Sequence, residues 1–368
     1  MVTACSSGNL VCIAFYACTQ SSRVYPQRFE RSLARGAPAR SSLKLALYRT
    51  LGPERMHARL PHPEASGIAL LMWAVVRHAA TYQVVGALST VDCKLHHCIT
   101  AKEFLVSIQF ASRSVADSIV IVTGAASGMG RATVLLFASE SARVVLADRS
   151  EQELDQVMSE LCEVYPQAEA LPVVCDVRKP EDLKNLVSAT VDRFGGIDTL
   201  VNNAGISRRN NISEQEEAEF EEIWHEVLDI NLTAHVRLVR LALPHLKESE
   251  AGRIINIASS EALVSQGGLI SYSATKSGVV GITRSMAIEL AEHGITANCV
   301  CPGPIETNMT ARYPEEAKAK YARRRVPMRR YGRPDEVAHM TLNLALPASS
   351  YVTGAVIPVD GGMTMFHV

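Results

Sequence analysis

The strongest constraint on the fold is a unit, repeated along the chain, in which a short apolar run leads through a turn into a helical pattern. Its first copy has an apolar run at 118–123, a glycine-rich turn at 124–130 and a helical pattern over 131–139. Short β-branched apolar runs predict strands, and apolar residues recurring every three to four positions predict helices. Further strands are predicted at 142–147, 171–175, 199–201, 253–258, 296–300 and 355–358, with helices at 152–163 and 181–194.

Strands that are apolar throughout and alternate with helices are typical of a parallel sheet covered on both faces. We therefore predict one α/β domain over residues 114–368, built on a Rossmann-type, doubly wound parallel sheet of about seven strands. Residues 1–113 lack this rhythm and are predicted to form a poorly structured N-terminal extension. Three interpretations of the extension stay open: a start assigned too early in the gene, a disordered segment, or a transit peptide, since 23–59 is rich in Arg and Ser.

Charge separates the two parts of the chain. Residues 1–113 carry 13 Lys and Arg against 5 Asp and Glu, whereas the rest carries 24 against 33. The acidic second part contains no basic module with base-stacking residues, so no nucleic-acid partner is predicted. The longest apolar stretch, 67–76, falls well short of the roughly 20 residues that a membrane-spanning helix needs, so no membrane span is predicted either.

The nine cysteines show no paired spacing. Several of those after residue 113 lie in predicted strands, which indicates a reduced, intracellular compartment. We predict a cytoplasmic protein, with a mitochondrial or plastid location as the alternative if the extension is a transit peptide. The segment Cys93-Lys-Leu-His-His-Cys98 contains metal-binding residue types but lacks a second ligand pair, so no metal site is predicted.

The glycine-rich turn lies where a strand feeds a helix. Glycines there let the backbone turn tightly and approach a pyrophosphate, while the helix N-terminus offers free N–H groups and a positive dipole. A glycine cluster is by itself weak evidence, because such clusters also mark ordinary turns; its position after a strand favours dinucleotide binding. The predicted cofactor contacts in this turn are Gly124, Ser127, Gly128, Met129 and Gly130.

Asp148 ends the second predicted strand, where a carboxylate accepts hydrogen bonds from the adenosine ribose and repels a 2′-phosphate. It therefore favours NAD over NADP. The adjacent Arg149 is a counterargument, because it is able to swing onto a 2′-phosphate. Asp148 is also well placed to cap the following helix, and the two roles are compatible.

Tyr272 and Lys276 open a predicted helix at a spacing of four residues, which places phenol and ammonium on one face. A tyrosine with a pKa of about 10 is a poor base at neutral pH unless a neighbouring cation stabilises the phenolate. Such a pair is commonly only helix surface. Here, however, Ser259 follows a strand and emerges at the carboxyl edge of the sheet, where open α/β sheets bind their ligands.

Taken in order, the motifs of residues 114–368 resemble the short-chain dehydrogenase/reductase family. The motifs that carry the resemblance are Thr123–Gly130, Asn202-Asn-Ala-Gly205, Ser259, Tyr272 with Lys276, Pro302-Gly-Pro-Ile-Glu-Thr307 and the closing Tyr351-Val-Thr-Gly-Ala-Val-Ile-Pro-Val-Asp-Gly-Gly362. The resemblance implies that Tyr272 is the acid/base, that Ser259 orients the reacting oxygen, and that Lys276 supports the phenolate and binds ribose. Asn231 would hold a proton-relay water.

The resemblance also implies further cofactor contacts and an assembly. The implied contacts are Asp176, Val177, Asn203, Ala204, Gly205, Tyr272, Lys276, Pro302, Gly303, Ile305 and Thr307. A homotetramer is implied, packed through the long helices that follow Glu217 and Tyr272.

These features predict an NAD(P)-dependent oxidoreductase, with NAD favoured, that acts on a small alcohol or ketone. The alternative is a 3-oxoacyl-acyl-carrier-protein reductase, an enzyme that usually takes NADPH and that 302–310 resembles. A catalytically idle dinucleotide-binding scaffold is a third hypothesis, disfavoured by the complete catalytic set. Seven arginines between 308 and 334 suggest an anionic substrate, although a solvated helix face balanced by Glu315 and Glu316 is the preferred interpretation.

Overall fold

Residues 2–6, 11–15 and 111–366 are described by the structure, a computed structural model, and they belong to two separate parts of the chain. Near the N-terminus, β1 (Val2–Ser6) and β2 (Val11–Phe15) pair antiparallel. No strand is predicted here from the sequence, although Val11–Phe15 is a short apolar run of the kind that forms strands. The Cys93–Cys98 segment lies outside the described residues.

The second part is built on a parallel sheet of seven strands, and it confirms the predicted fold class. Its strands are β3 (Ile119–Thr123), β4 (Arg143–Asp148), β5 (Ala170–Val174), β6 (Thr199–Asn202), β7 (Arg253–Ile257), β8 (Thr296–Pro302) and β9 (Val356–Val359). They lie in the order β5-β4-β3-β6-β7-β8-β9, and every neighbouring pair is parallel. Each predicted strand is present, with its ends within about two residues of the prediction.

Helices cover both faces of the sheet. They are α1 (Gly128–Ser139), α2 (Glu151–Val164), α3 (Pro180–Phe194), α4 (Glu217–Leu228), α5 (Ala234–Glu248), α6 (Ile270–Glu289), α7 (Asn308–Ala311), α8 (Glu315–Arg325) and α9 (Pro334–Ala345). A π-helical turn, Asp229–Thr233, joins α4 to α5. No helix in the described ranges is long and apolar enough to cross a membrane.

The side chains of β3 point alternately to the two faces of the sheet, which explains why the strand is apolar on both faces. Val120 and Val122 pack into one core with α1, α2 and α9, while Ile121 packs into the opposite core with α3 and α5. All three side chains are fully buried. Because successive strand residues point to opposite faces, a strand between two helical layers must be apolar at every position.

The order of strands reverses between β3 and β6. After β3 the chain forms β4 and then β5, which lie progressively nearer one edge of the sheet. It then crosses back to form β6 on the opposite side of β3. In doubly wound sheets the connections leave a crevice at this point, outside the carboxyl ends of the strands. Gly124 follows β3 and Asn203 follows β6, so both predicted cofactor motifs lie at the same crevice.

Candidate active site

The glycine turn is shaped so that a side chain would block it. Gly124 and Gly128 adopt positive φ values of 64° and 53°, which L side chains rarely adopt. A Cβ on Gly130 would lie 1.9 Å from the Gly124 carbonyl oxygen, so the first turn of α1 packs directly against the loop. The turn therefore presents backbone and the start of a helix to the crevice, which suits the pyrophosphate of a dinucleotide.

Hydrogen bonds tie the glycine turn to the end of β6. The Thr123 hydroxyl accepts from the backbone N–H groups of Asn203 at 3.0 Å and Ala204 at 3.1 Å. The Asn203 side-chain amide donates to the carbonyls of Thr123 at 2.8 Å and Gly124 at 3.1 Å. The Asn203 side chain thus stabilises the glycine turn. The surface at which the cofactor is expected is then formed by the backbone of 203–205.

A cleft runs from the glycine turn over the ends of β4, β5 and β6. Its lining contains most of the predicted cofactor residues: Gly124, Ser127, Gly128, Met129, Asp148, Arg149, Asp176, Val177, Asn203, Ala204, Gly205 and Thr307. An elongated cleft with a phosphate-binding turn at its centre and acidic residues at one end fits a dinucleotide in extended form. The residues present therefore fit the nicotinamide cofactor that the motifs imply.

Asp148 has two roles at the adenosine end of this cleft. Its carboxylate accepts from the backbone N–H of Ala126 at 3.1 Å and of Ser150 at 3.3 Å. Ser150 in turn caps α2 by accepting from the backbone N–H of Glu153. The carboxylate thus ties the glycine turn to β4, and it lines the cleft with oxygen lone pairs left for a ribose hydroxyl.

Asp176 is held in its ionised form beside the cleft. Its carboxylate accepts from the guanidinium of Arg178, with Nη2 2.6 Å from Oδ2. That hydrogen bond lowers the pKa of Asp176 below its usual value. Arg178 also lies 3.7 Å from Glu226 of α4, which links the adenine side of the cleft to that helix.

The segment after β8 divides into two kinds of position. Gly303 packs against Asp360, where a Cβ would come within 2.7 Å of the aspartate Cβ, and Ile305 is 5% exposed in the core. Pro302 ends β8. Of the predicted residues in this segment, Thr307 reaches the cleft, where its side chain lies over Gly128 and its backbone N–H donates to the Thr310 hydroxyl at 3.1 Å. The cofactor roles of Pro302, Gly303 and Ile305 stay predictions.

Ser259 and Tyr272 meet where β7 ends and α6 begins. The Ser259 hydroxyl accepts from the backbone N–H of Glu261 at 3.1 Å, which fixes the loop that leaves β7. Burial raises the pKa of Tyr272, a hydrogen bond from Ser259 acts to lower it, and the Glu261 carboxylate raises it. Tyr272 is consequently a phenol at neutral pH in the absence of a ligand, which makes it a proton donor.

Lys276 is buried one helical turn beyond Tyr272. Its Nζ donates to the Ile257 carbonyl at 2.8 Å and lies 5.8 Å from the centroid of the Tyr272 ring. Burial lowers its pKa to about 8, against an opposing effect of the Cys299 and Cys301 sulfurs. A Cβ on Gly205 would lie 3.3 Å from this Nζ, so the ammonium borders the cofactor cleft. Four-residue spacing thus brings phenol and ammonium together, as predicted.

Asn231 lies in the π-helical turn and is fully buried. Its side-chain amide donates to the Ile206 carbonyl at 2.9 Å, and its Oδ1 accepts from the Ile206 N–H at 2.9 Å. These two bonds hold the chain that follows β6 against α5. With its amide engaged in this way, a relay water at Asn231 would bind through the backbone carbonyl, since a π turn shifts the regular hydrogen-bond register.

Glu261 is a site residue that the motifs do not reveal. It is 5% exposed, and its carboxylate accepts from the backbone N–H of Gln266 at 3.0 Å and from the Ser273 hydroxyl at 3.3 Å. Among the described residues it has no cationic partner within 4 Å. The carboxylate therefore places a buried negative charge beside Tyr272. The position of Glu261 in the site is visible only from the geometry of the loop that follows Ser259.

The cysteines of 111–366 are free thiols. Cys175, Cys299 and Cys301 are buried free thiols, and Cys162 is an exposed one. Within 111–366 and the two N-terminal strands, no group of three or more His, Cys, Asp or Glu side chains is arranged to hold a metal ion.

Comparisons with known proteins agree on the sheet domain. A family model described as "Enoyl-(Acyl carrier protein) reductase" matches residues 124–364. The chain is 40% identical over 247 residues to the 3-oxoacyl-acyl-carrier-protein reductase FabG of Thermotoga maritima, which covers 67% of this chain and 98% of that protein. It is 35% identical over 248 residues to the meso-2,3-butanediol dehydrogenase of Serratia marcescens, covering 67% and 95%.

A solved structure extends the likeness to three dimensions. A variant of actinorhodin polyketide ketoreductase with NADPH superposes with a TM-score of 0.63 at 36% identity, covering 70% of this chain and all of that chain. Each of these relatives is matched over nearly its full length, so the likeness extends over the whole sheet domain.

Proposed function

The chain belongs to the short-chain dehydrogenase/reductase family and is an oxidoreductase acting on alcohols or ketones with a nicotinamide cofactor; we propose that the cofactor is NAD and that Tyr272 is the catalytic acid/base. The observation that carries the proposal is the gathering of Ser259, Tyr272 and Lys276 at one edge of the sheet. There Lys276 borders Gly205 of the cofactor cleft. This gathering supports Tyr272 as the proton-transfer group beside the nicotinamide end of the cleft.

The proposed chemistry divides the work between cofactor and protein. When bound, the nicotinamide supplies or takes up the hydride. In ketone reduction, the Tyr272 hydroxyl donates its proton to the substrate oxygen, which the Ser259 hydroxyl orients. The Lys276 ammonium stabilises the resulting phenolate. In alcohol oxidation the direction reverses. The Tyr272 phenolate, stabilised by Lys276, removes the proton from the substrate hydroxyl that Ser259 orients.

Asp148 supports NAD as the cofactor. Its carboxylate lines the cleft where the adenosine ribose is expected, and a 2′-phosphate there would meet a negative charge. Arg149 lines the same region and argues for NADP, and the related ketoreductase was solved with NADPH. Fluorescence titration with NADH and NADPH side by side tests the proposal. Tighter NADH binding is expected, and tighter NADPH binding would contradict it.

A 3-oxoacyl-acyl-carrier-protein reductase is the second candidate. The 40% identical relative from Thermotoga maritima carries that name. The same titration separates the candidates in part, because the alternative predicts NADPH. Reduction of an acetoacetyl thioester in preference to simple ketones would favour the alternative. An idle scaffold would bind cofactor and reduce neither.

Assembly, location and domain boundary are proposed on less direct grounds. We propose a homotetramer packed through α4 and α6, as in the family, and light scattering tests its mass. A cytoplasmic location is proposed from the unpaired cysteines.

We also propose that the catalytic domain folds without residues 1–113. The Ser112 carbonyl accepts from the Ala348 N–H at 2.9 Å. Deletion of residues 1–110 therefore keeps this hydrogen bond, whereas deletion of residues 1–113 removes it.

A further inference from the structure

The basic residues of 308–334 fall into distinct environments in the structure. Arg330 pairs with Glu336 at 2.6 Å, and Arg333 pairs with Asp335 at 2.9 Å. Arg312 lies over the ring of Tyr313, 5.1 Å from its centroid. These three are accounted for by contacts with residues close in sequence, and they leave no reason to invoke a ligand.

Three other cations of the segment are different. Lys320, Arg324 and Arg325 line a cavity of about 670 Å³ between α8 and the loop 264–267. Among the described residues, none of the three has a carboxylate within 4 Å. Glu315, which sequence analysis assigned to balance the arginines, is paired with Lys318. All three side chains are exposed, as on a solvated helix face, but no described carboxylate within 4 Å balances them.

Helix geometry explains why the three cations converge. Lys320 and Arg324 are four residues apart, as are Tyr321 and Arg325, so all four lie along one side of α8. The helix is held in place by Ala322 and by Val326 just after its end, both almost fully buried. The cationic side is thus presented to the cavity by a helix anchored to the core.

The cavity is connected to the catalytic tyrosine through Glu261. Gln266 lines it, and Gln266 donates its backbone N–H to Glu261, the carboxylate beside Tyr272. Tyr321 lines the same cavity and also feels the charge of Glu261. Gln266 and Glu261 thus connect the loop side of the cavity to the proton-transfer group, and the cations lie on the α8 side.

We propose that Lys320, Arg324 and Arg325 form a subsite for an anionic group of the substrate, so that the substrate is a ketone or alcohol bearing a carboxylate or phosphate. The residues that line the cavity include these three cations and no carboxylate, so the lining is positively charged. The charge of the subsite selects among ketones that the catalytic residues alone do not distinguish. The inference rests on the proposed function of the site.

The test uses two pairs of ketones, each with an anionic member and a neutral partner that carries the same reacting ketone. One pair is levulinate and methyl levulinate; the other is acetoacetyl-coenzyme A and the acetoacetyl thioester of N-acetylcysteamine, which lacks phosphate. The kcat/KM of at least one anionic member is expected to exceed that of its neutral partner by about fivefold or more, the effect of one exposed charge pair. The pair that shows the preference identifies carboxylate or phosphate as the anion.

Variants locate the preference in the structure. Arg324→Gln and Arg325→Gln are each expected to lower kcat/KM for the preferred anion by about fivefold while leaving its neutral partner unchanged. Arg323→Gln is the control, because Arg323 is on the same helix, carries the same charge and does not line the cavity. Equal use of charged and neutral ketones, or an equal loss in the Arg323 variant, would overturn the subsite. Failure to reduce any of the four would instead contradict the proposed function.

Discussion

The Nζ of Lys276 lies 5.8 Å from the centroid of the Tyr272 ring and donates to the Ile257 carbonyl at 2.8 Å. The lysine is therefore held by the end of β7, independently of the tyrosine, and is almost fully buried. Burial lowers its pKa to about 8, close enough to neutrality for its charge to change in an ordinary assay. The protonation of Lys276 thus controls how well the Tyr272 phenolate is stabilised.

A fall in ketone reduction at alkaline pH follows from this arrangement. Because the folded pKa of Lys276 is lowered to about 8, the ammonium is present below that pH and lost above it. We expect kcat/KM for reduction, which reports the free enzyme, to decline above about pH 8. In Lys276→Arg the guanidinium stays charged, so any residual activity should decline only at higher pH. An unchanged rate through pH values well above 8 would contradict the assignment.

Removal of the Glu261 charge should favour alcohol oxidation. Glu261 raises the pKa of Tyr272, so Glu261→Gln is expected to lower it and to increase the phenolate fraction at a given pH. Oxidation at neutral pH should rise a few-fold and its pH profile should move to lower pH, as measured by initial rates. Glu292→Gln removes an exposed carboxylate far along the chain and serves as control. A lower rate with an unmoved pH profile would assign Glu261 a purely structural role.

Asp148 should determine the choice of cofactor. Asp148→Asn keeps an oxygen to accept from the Ala126 N–H but removes the charge that a 2′-phosphate would meet. We expect NADPH affinity to rise about tenfold, roughly 1.4 kcal/mol, with a smaller loss for NADH. Fluorescence titration measures both. Asp155→Asn, on the exposed side of α2, controls for a general charge effect; an unchanged NADH/NADPH ratio in Asp148→Asn would remove the residue from cofactor selection.

Two glycines provide a matched pair for the cofactor turn. In Gly130→Ala the new Cβ would lie 1.9 Å from the Gly124 carbonyl oxygen, so the turn must move and cofactor affinity should fall by at least about tenfold. In Gly281→Ala, in the middle of α6, the Cβ meets nothing within 4 Å. There the fold should be stabilised by about 0.5–1 kcal/mol. Titration and thermal unfolding check both; normal cofactor binding by Gly130→Ala would contradict the packing described.

Local patterns were sufficient to predict the strands and the cofactor turn. Every residue of β3 is buried, so its apolar run was unambiguous, and the glycines of 124–130 are needed by the backbone itself. The pairing of Tyr272 with Lys276 also followed from helical spacing alone. These features depend on residues close in sequence, which is why a single chain was enough to predict them.

Features that depend on tertiary contacts could not be predicted in this way. The two hydrogen bonds between Asn231, in the π-helical turn, and Ile206 join residues that are 25 positions apart in sequence. The burial of Glu261 depends on the return of the loop at Gln266, and a glutamate two residues after a serine has no pattern that indicates it. The division of the arginines of 308–334 into paired and cavity-lining sets likewise requires the positions of α8 and α9.

Substitution of Tyr272 by Phe tests the central claim most directly, because it removes only the proton-transfer hydroxyl. NADH affinity, measured by fluorescence titration, should be unchanged, while turnover of the best ketone should fall by at least about 100-fold. Loss of both would indicate a disturbed fold, which thermal unfolding of the same variant detects. Wild-type turnover in a folded Tyr272→Phe enzyme would contradict the mechanism.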